Sequence, residues 1–493
     1  MRIKKYKMSQ FITTIIIGFL LNIIFIRYAS KNTGAINSSN LTEIQFLCIL
    51  AAIAAIFGVW NWRLNVKFVL FLLLFEGALR KWVFLSYSSS IYMAKDIFII
   101  LAYLGYFFSS LKNKKKIKIK MNLTTWRISN YLLAVFLLYG IVELFNPRTP
   151  VLLGLFGFKA YFLYIPLTWL TFQMFETSED LINFLYQILL LAIPMGVLGG
   201  IQFFESPLHP LNRYAAEGVI ATFGAGGKAR VSGTFAFVTG NGVFFFFVFC
   251  LVIGFIIYRR NKSLKMIPSL IVLIFSVGNI LMTGYRAYVL QSIVATVFFL
   301  LSLIAGSIKF IRAHFLKMVI VIAVIGISLS RFFPNALEMF QMRLDSLGME
   351  DLSDRVKEST RFPSEEMELA GGIGFGLGST QHGKDAILDK MGISTDIIPT
   401  GIGYEEEPER IMLELGSVGF SIYYLFRVFI LIGMFNLLKL LLRCETYPIA
   451  FGLFMFMLLN GLTPLVFNHI FNVLFWFSAG VILALYQFNQ QKT

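Results

Sequence analysis

The sequence predicts an all-α, polytopic membrane protein, and three observations predict it. Of 493 residues, 57% are hydrophobic and 14% charged, with a mean hydropathy of +0.74, whereas soluble domains sit near about 45–50% apolar and about 25% charged. The 53 Phe outnumber the 27 Asp and Glu together, so a soluble enzyme of several domains is excluded for want of water-facing surface. The apolar residues also gather in runs of about 17–25, the length at which a helix crosses about 30 Å of hydrocarbon. Strands of a membrane β-barrel would read as shorter alternating segments.

In chain order the runs lie at 10–28, 43–60, 66–85, 91–109, 129–145, 159–175, 181–203, 234–257, 267–283, 287–308, 316–333, 411–435, 447–465 and 468–486, which makes about fourteen spans. The first follows a basic N-terminus without a small-residue cleavage site, so it is expected to stay as an anchor. Lys and Arg mark cytoplasmic loops. Basic clusters stand at the N-terminus, Trp62–Lys67, Lys112–Lys120, Arg259 to Lys265, Lys309–Lys317 and Lys439–Arg443. Both termini inside and an even number of spans bring every cluster to the inner side. The chain then divides into spans over 1–333, a large extracytoplasmic loop with short helices over 334–410, and closing spans over 411–493. Smaller outward loops are expected near 146–158 and 204–233.

The net charge of +16 is segregated: residues 331–410 hold 16 of the 27 acidic residues and 8 basic ones. The remaining basic residues flank spans in the pattern that sets topology, so nucleic-acid binding is set aside. Cys48, Cys250 and Cys444 show no paired spacing and read as small core residues. His209, His314 and His469 are isolated, which points away from a zinc site. The glycine stretch Gly371–Gly378 lacks the Lys-Ser/Thr of a phosphate loop. Ser232 lacks the surroundings of a nucleophile elbow, the run Phe244–Phe247 reads as lipid-facing bulk, and Trp82 as an interfacial anchor.

More informative are cations on the outer side, against the usual bias: Arg80, Lys81, Lys95, Arg148, Lys159, Arg213, Lys228, Arg230 and Arg286. Charge at membrane depth is costly and faces the bundle interior, paired or functional. Glu76 and Arg80 have i,i+4 spacing, and Lys95–Asp96 can close a network with them. Arg148, Arg213 and Lys228 read as solvated loop residues. Arg230 and Arg286 have no carboxylate nearby in sequence and stand at span boundaries, which favours function. Guanidinium forks match phosphate oxygens in a bidentate way. A lipid-linked pyrophosphate lies at that depth, and cations there stabilise the charge that develops as its glycosyl bond breaks.

Four segments carry a family resemblance. Arg230-Val231-Ser232-Gly233-Thr234-Phe235, Thr283-Gly284-Tyr285-Arg286-Ala287, Gly374-Phe375-Gly376-Leu377-Gly378 and Leu413-Glu414-Leu415-Gly416-Ser417-Val418-Gly419 resemble, in order and spacing, the motifs of bacterial O-antigen ligases and O-antigen or exopolysaccharide polymerases. Glu76 to Trp82 and Gly157 to Tyr161 are similar to segments of the exopolysaccharide-polymerase type. The resemblance implies a GT-C-like helical bundle in the bacterial inner membrane with its active site on the outer face. It implies inverting glycosyl transfer from an undecaprenyl-pyrophosphate-linked glycan, with that lipid as substrate and with neither metal nor other cofactor. Arg230 and Arg286 match arginines that hold the pyrophosphate, with Arg80, Lys81, Lys95 and Lys159 as further ligands. Membrane lipids, a chain-length regulator and a flippase are the implied partners.

The chain departs from the ligases where they carry a His-Asn pair, reading Glu405-Glu406-Glu407-Pro408-Glu409-Arg410 instead. A carboxylate can also deprotonate an acceptor hydroxyl, so Glu405, Glu407 and Glu409 are candidate bases and His382 the second choice, with Arg410 and Glu414 on the acceptor side. The departure favours a polymerase over a ligase. The rival class is a lipid-linked oligosaccharide flippase or exporter, which would carry charges deep in the bundle rather than gathered at one face.

Overall fold

In the computed structural model, the described residues are 20, 23, 61–113, 124–215, 227–258, 263–304, 308–345, 361–381, 383–393, 397–398, 404, 406–462 and 465–491. The runs at 10–28 and 43–60 fall almost wholly outside them, as do Glu405, His382 and most of 346–360. Among the described residues most of the chain is helical, in the order α1 (Trp62–Ala78), α2 (Ser88–Asn113), α3 (Thr124–Glu143), α4 (Val151–Phe162), α5 (Leu167–Met174), α6 (Ser178–Phe204), α7 (Val238–Ile257), α8 (Ser263–Thr283), α9 (Arg286–Ile304) and α10 (Ile308–Ile327), followed by α11 (Pro334–Asp345), α12 (Ser364–Ala370), α13 (Lys384–Met391), α14 (Glu407–Leu441), α15 (Tyr447–Asn460) and α16 (His469–Gln490). Seven helices are long and apolar enough to cross a membrane, or up to eight if α4 and α5 form one bent span.

That bend is 45°. Pro166 closes the break because it has no N–H to continue the ladder, and the Tyr103 hydroxyl meets the Leu163 carbonyl at 2.8 Å. Helix α4 begins at Val151 directly after Pro150, so most of the expected loop 146–158 is helix. The closing block also starts earlier than expected: α14 begins at Glu407, within the predicted loop 334–410.

Helix α7 is the centre of the bundle and is buried along its whole length. Phe244, Phe245, Phe246 and Phe247 are all 0% exposed, which overturns the expectation that this run faces lipid. Their rings pack inward, with Phe247 against Phe456 of α15 at 5.2 Å and Phe244 against Phe235 at 5.6 Å. Lipid tails are as apolar as Phe, so close packing rather than escape from water holds such helices together. Trp82 is likewise inside, its indole N–H donated to the Pro210 carbonyl at 3.2 Å, not at an interface.

Two motif segments far apart in sequence are joined through backbone. Helix α14 breaks at Gly416, whose φ of +63° and ψ of −178° lie outside the helical region. Phe375 N–H donates to Leu413 O at 2.8 Å, Gly376 N–H to Glu414 O at 3.0 Å, and Ser417 N–H to Gly371 O at 3.0 Å. The Tyr139 hydroxyl takes Leu415 O at 2.6 Å. Irregular backbone at membrane depth is tolerated where protein groups satisfy it. A Cβ at position 416 would stand 2.5 Å from the Gly372 carbonyl, and its backbone region is open essentially to glycine alone. Gly416→Ala is therefore expected to cost about 1–3 kcal/mol, seen as a lowered unfolding temperature of the detergent-solubilised protein; an unchanged temperature would disprove this account of the kink.

Candidate functional site: a cationic layer at one end of the bundle

The segment 230–235 is laid against the end of α8, the turn that leads into α9, and the end of α1. Val231 N–H donates to Met282 O at 3.1 Å, and Arg230 Nε donates to Thr283 O at 2.9 Å. The Arg230 guanidinium lies 4.5 Å over the Tyr285 ring, so Arg230 rests on the residue that precedes Arg286. Arg286 is the first residue of α9, and its Nη1 is buried without a hydrogen-bond partner among the described residues. Gly233 takes a φ of +59°, and the Gln202 side chain accepts its N–H at 2.8 Å. Thr234 Oγ1 donates to Leu74 O at 2.6 Å, and Gly77 of α1 lies against the backbone of Phe235 and Ala236.

Lys81 ties this segment to the second group of cations. Its buried ammonium donates to Ser232 Oγ at 3.0 Å and Gly233 O at 2.7 Å. Beside it, Glu76 pairs with Arg80 at 3.3 Å and Lys95 at 3.0 Å, while Asp96 pairs with Lys159 at 2.6 Å and accepts from the Tyr164 hydroxyl. The i,i+4 pair read from spacing is present, and so is the Lys95 network; α4 adds Lys159 to it. The ring of Tyr92 is at the centre, with Lys95 at 3.8 Å, Lys159 at 4.7 Å and Arg80 at 5.2 Å from its centroid. Three cations thus share two carboxylates, and with Arg230 and Arg286 beside them the layer keeps an excess of positive charge.

The acidic run at the head of α14 has a different arrangement from the one expected of a base. Glu407 pairs with Arg427 at 2.8 Å, both fully buried, and its other oxygen accepts Val466 N–H at 2.7 Å and Phe467 N–H at 3.3 Å. Glu409 forms a capping box with Glu406, which holds the helix start. Both carboxylates are occupied in holding the fold. Arg410 donates to the Thr380 carbonyl and lies 3.7 Å over the Phe467 ring. Glu414 is 0% exposed and accepts from Thr380 N–H at 3.1 Å and Thr380 Oγ1 at 2.7 Å, with the buried Tyr161 hydroxyl facing the same carboxylate. Glu405 and His382 lie outside the described residues. Arg148 is exposed, as expected of a solvated loop residue, and it also reaches Gly374 O at 3.4 Å and stacks on Phe375 at 5.3 Å; Lys228 lies 5.7 Å over the Phe204 ring.

The structure adds one side chain that sequence reasoning passed over. His469 opens α16, its Nε2 3.6 Å from Glu76 Oε2 and its ring edge-on to Tyr92 at 5.2 Å between centroids. Asn468 caps the helix there, accepting from Ile470 N–H and Phe471 N–H. Nothing near His469 in sequence marks it, because its carboxylate stands on α1.

The charged members of the layer gather toward the ends of the helices that carry them, with Arg230 in the irregular segment before α7. Arg80 and Lys81 follow α1, Lys95 and Asp96 lie near the start of α2, Lys159 near the end of α4, and Arg286 and His469 open α9 and α16. Chemically, such a layer can hold a polyvalent anion such as a phosphate ester. Compared with known proteins, the chain matches no family model, no curated protein and no solved structure.

Proposed function

We propose that the protein is an integral-membrane glycosyltransferase of the polysaccharide-polymerase kind. It joins glycan from an undecaprenyl-pyrophosphate-linked donor to an acceptor glycan on the outer face of a bacterial inner membrane. The observation that carries this reading is the one-sided cationic layer, with its excess of positive charge and an Arg286 Nη1 that has no partner among the described residues. In this reading about fourteen helices cross the membrane, and the large loop over 334–410 stands outside it. The basic residues Arg63, Lys67, Lys112, Lys439 and Arg443 lie toward the opposite helix ends from Arg80, Lys95 and Glu407, so the bias of Lys and Arg toward the cytoplasm turns the cationic layer outward.

Arg230, Arg286, Arg80, Lys81, Lys95 and Lys159 form the donor pyrophosphate site. Fixed cations oppose the negative charge that grows on the leaving pyrophosphate, without reorganisation at the moment of reaction. Attack by an acceptor hydroxyl on the face opposite the leaving group inverts the anomeric centre, and neither metal nor nucleotide sugar enters this scheme. The acceptor is a second lipid-linked glycan, with lipid A core as the alternative if the protein is a ligase. A chain-length regulator and a flippase are its proposed partners. The gathering of charge at one end favours chemistry there over a flippase, which needs charged groups reachable from both sides.

The test is the length distribution and leaflet of lipid-linked glycan in a strain that lacks the protein. Single units accumulating on the outer leaflet, with long chains restored by the wild-type gene, are the expected result. Units trapped on the inner leaflet would make the protein a transporter and overturn the reading.

A further inference from the structure

We propose that His469 is the base that takes the proton from the acceptor hydroxyl, held and oriented by Glu76. This rests on the glycosyl-transfer reading above and names a group apart from Glu407 and Glu409, which are occupied elsewhere.

Exposure separates His469 from its neighbours. Side chains of Glu76 and Lys95 are 2% and 0% exposed, sealed within the layer, whereas His469 keeps 23%, beside Lys159 at 21% and Arg80 at 17%. The imidazole thus stands at the accessible surface of the cationic layer, where a hydroxyl can reach it. It faces Glu76 from α1, Arg80 from the turn that follows, Tyr92 and Lys95 from α2, and Lys159 from α4. Its position is fixed from three sides. Asn468 caps its helix, Asn472 one turn on donates to Ala160 O at 2.8 Å, and Glu407 holds the N–H groups of Val466 and Phe467 just before it.

A base oriented by a carboxylate is the recurring arrangement for activating a hydroxyl, and such contacts tighten only once substrate is present. With Nε2–H turned toward Glu76, the lone pair on Nδ1 is left to accept a proton; this tautomer is inferred from the pairing. As the acceptor O–H bond breaks, its proton moves to Nδ1 and its oxygen bonds the anomeric carbon. The bond from that carbon to the pyrophosphate oxygen breaks, its electron pair staying on the phosphate. The imidazolium then returns its proton to water, so no further reactant is needed.

The test is chain extension by purified protein in lipid vesicles supplied with lipid-linked oligosaccharide. His469→Gln is expected to lower the rate by about 10²–10⁴-fold and to remove the acid limb that a titrating imidazole gives the pH–rate profile. Free imidazole is expected to restore part of the rate to His469→Ala. His469→Phe keeps a ring against Tyr92 and so reports the loss of the nitrogen apart from any loss of packing, with unfolding temperatures compared alongside. A His469→Gln protein that retains the wild-type rate and pH profile, while Arg286→Ala is inactive, overturns the base assignment alone. Wild-type protein that forms no glycosidic bond overturns the underlying reading, and the base with it.

Discussion

Arg286→Ala is expected to lower chain extension by about 10²–10³-fold, the usual cost of deleting one charged or hydrogen-bonding group that meets developing negative charge. The reason is local. Arg286 Nη1 is buried with no partner among the described residues, and Arg230 is stacked on the adjacent Tyr285, so removing the side chain takes away a donor without orphaning a protein acceptor. Little loss of stability should accompany the loss of rate. Arg286→Lys keeps the charge but not the planar fork and should fall between the two. Initial rates with lipid-linked donor in vesicles, alongside unfolding temperatures, decide the matter; an alanine variant of normal rate would remove Arg286 from the donor site.

A large effect on stability is expected at the other end of the cluster. Arg427 is 0% exposed, pairs with Glu407 at 2.8 Å and donates to Gly461 O at 2.6 Å. Arg427→Met leaves the Glu407 charge buried with only the N–H groups of Val466 and Phe467 for company. Breaking one side of a buried pair costs about 3–5 kcal/mol, enough to lower the unfolding temperature markedly or prevent accumulation in the membrane. Adding Glu407→Gln removes the stranded charge and is expected to recover part of that loss. A double variant no more stable than Arg427→Met would show that the two residues are not coupled.

Both residues show where sequence reading stops. The seven long apolar helices follow from apolar runs, because length and hydropathy decide which segments fit a bilayer, whereas α4 occupies most of an expected loop. The i,i+4 pairing of Glu76 with Arg80 is written in spacing, and its presence in the structure needed no tertiary information. Arg230 and Arg286 stand out by lacking local carboxylates. Glu407 does not stand out in this way: in sequence it is one of a run of carboxylates. What buries it is Arg427 on the far side of the Gly416 kink together with two N–H groups from the segment before α16. Phe244–Phe247 misled for a related reason, since nothing in an apolar run distinguishes the lipid face from the bundle centre. His469 was unreadable because its partners Glu76 and Tyr92 come from the opposite end of the chain.

The seam between the glycine stretch and the broken helix has a mechanical consequence. Phe375, Gly376, Ser417 and Val418 each give a backbone N–H across it, and the Tyr139 hydroxyl donates to Leu415 O beside the kink. Each such bond contributes about 0.5–1.5 kcal/mol net and more if its groups are left dry and unmet. A hatch fastened along its edge does not lift, so the joined stretch behaves as a fixed wall. In the reaction proposed above, a donor carried on a lipid would then enter sideways, between helices, from the plane of the membrane itself.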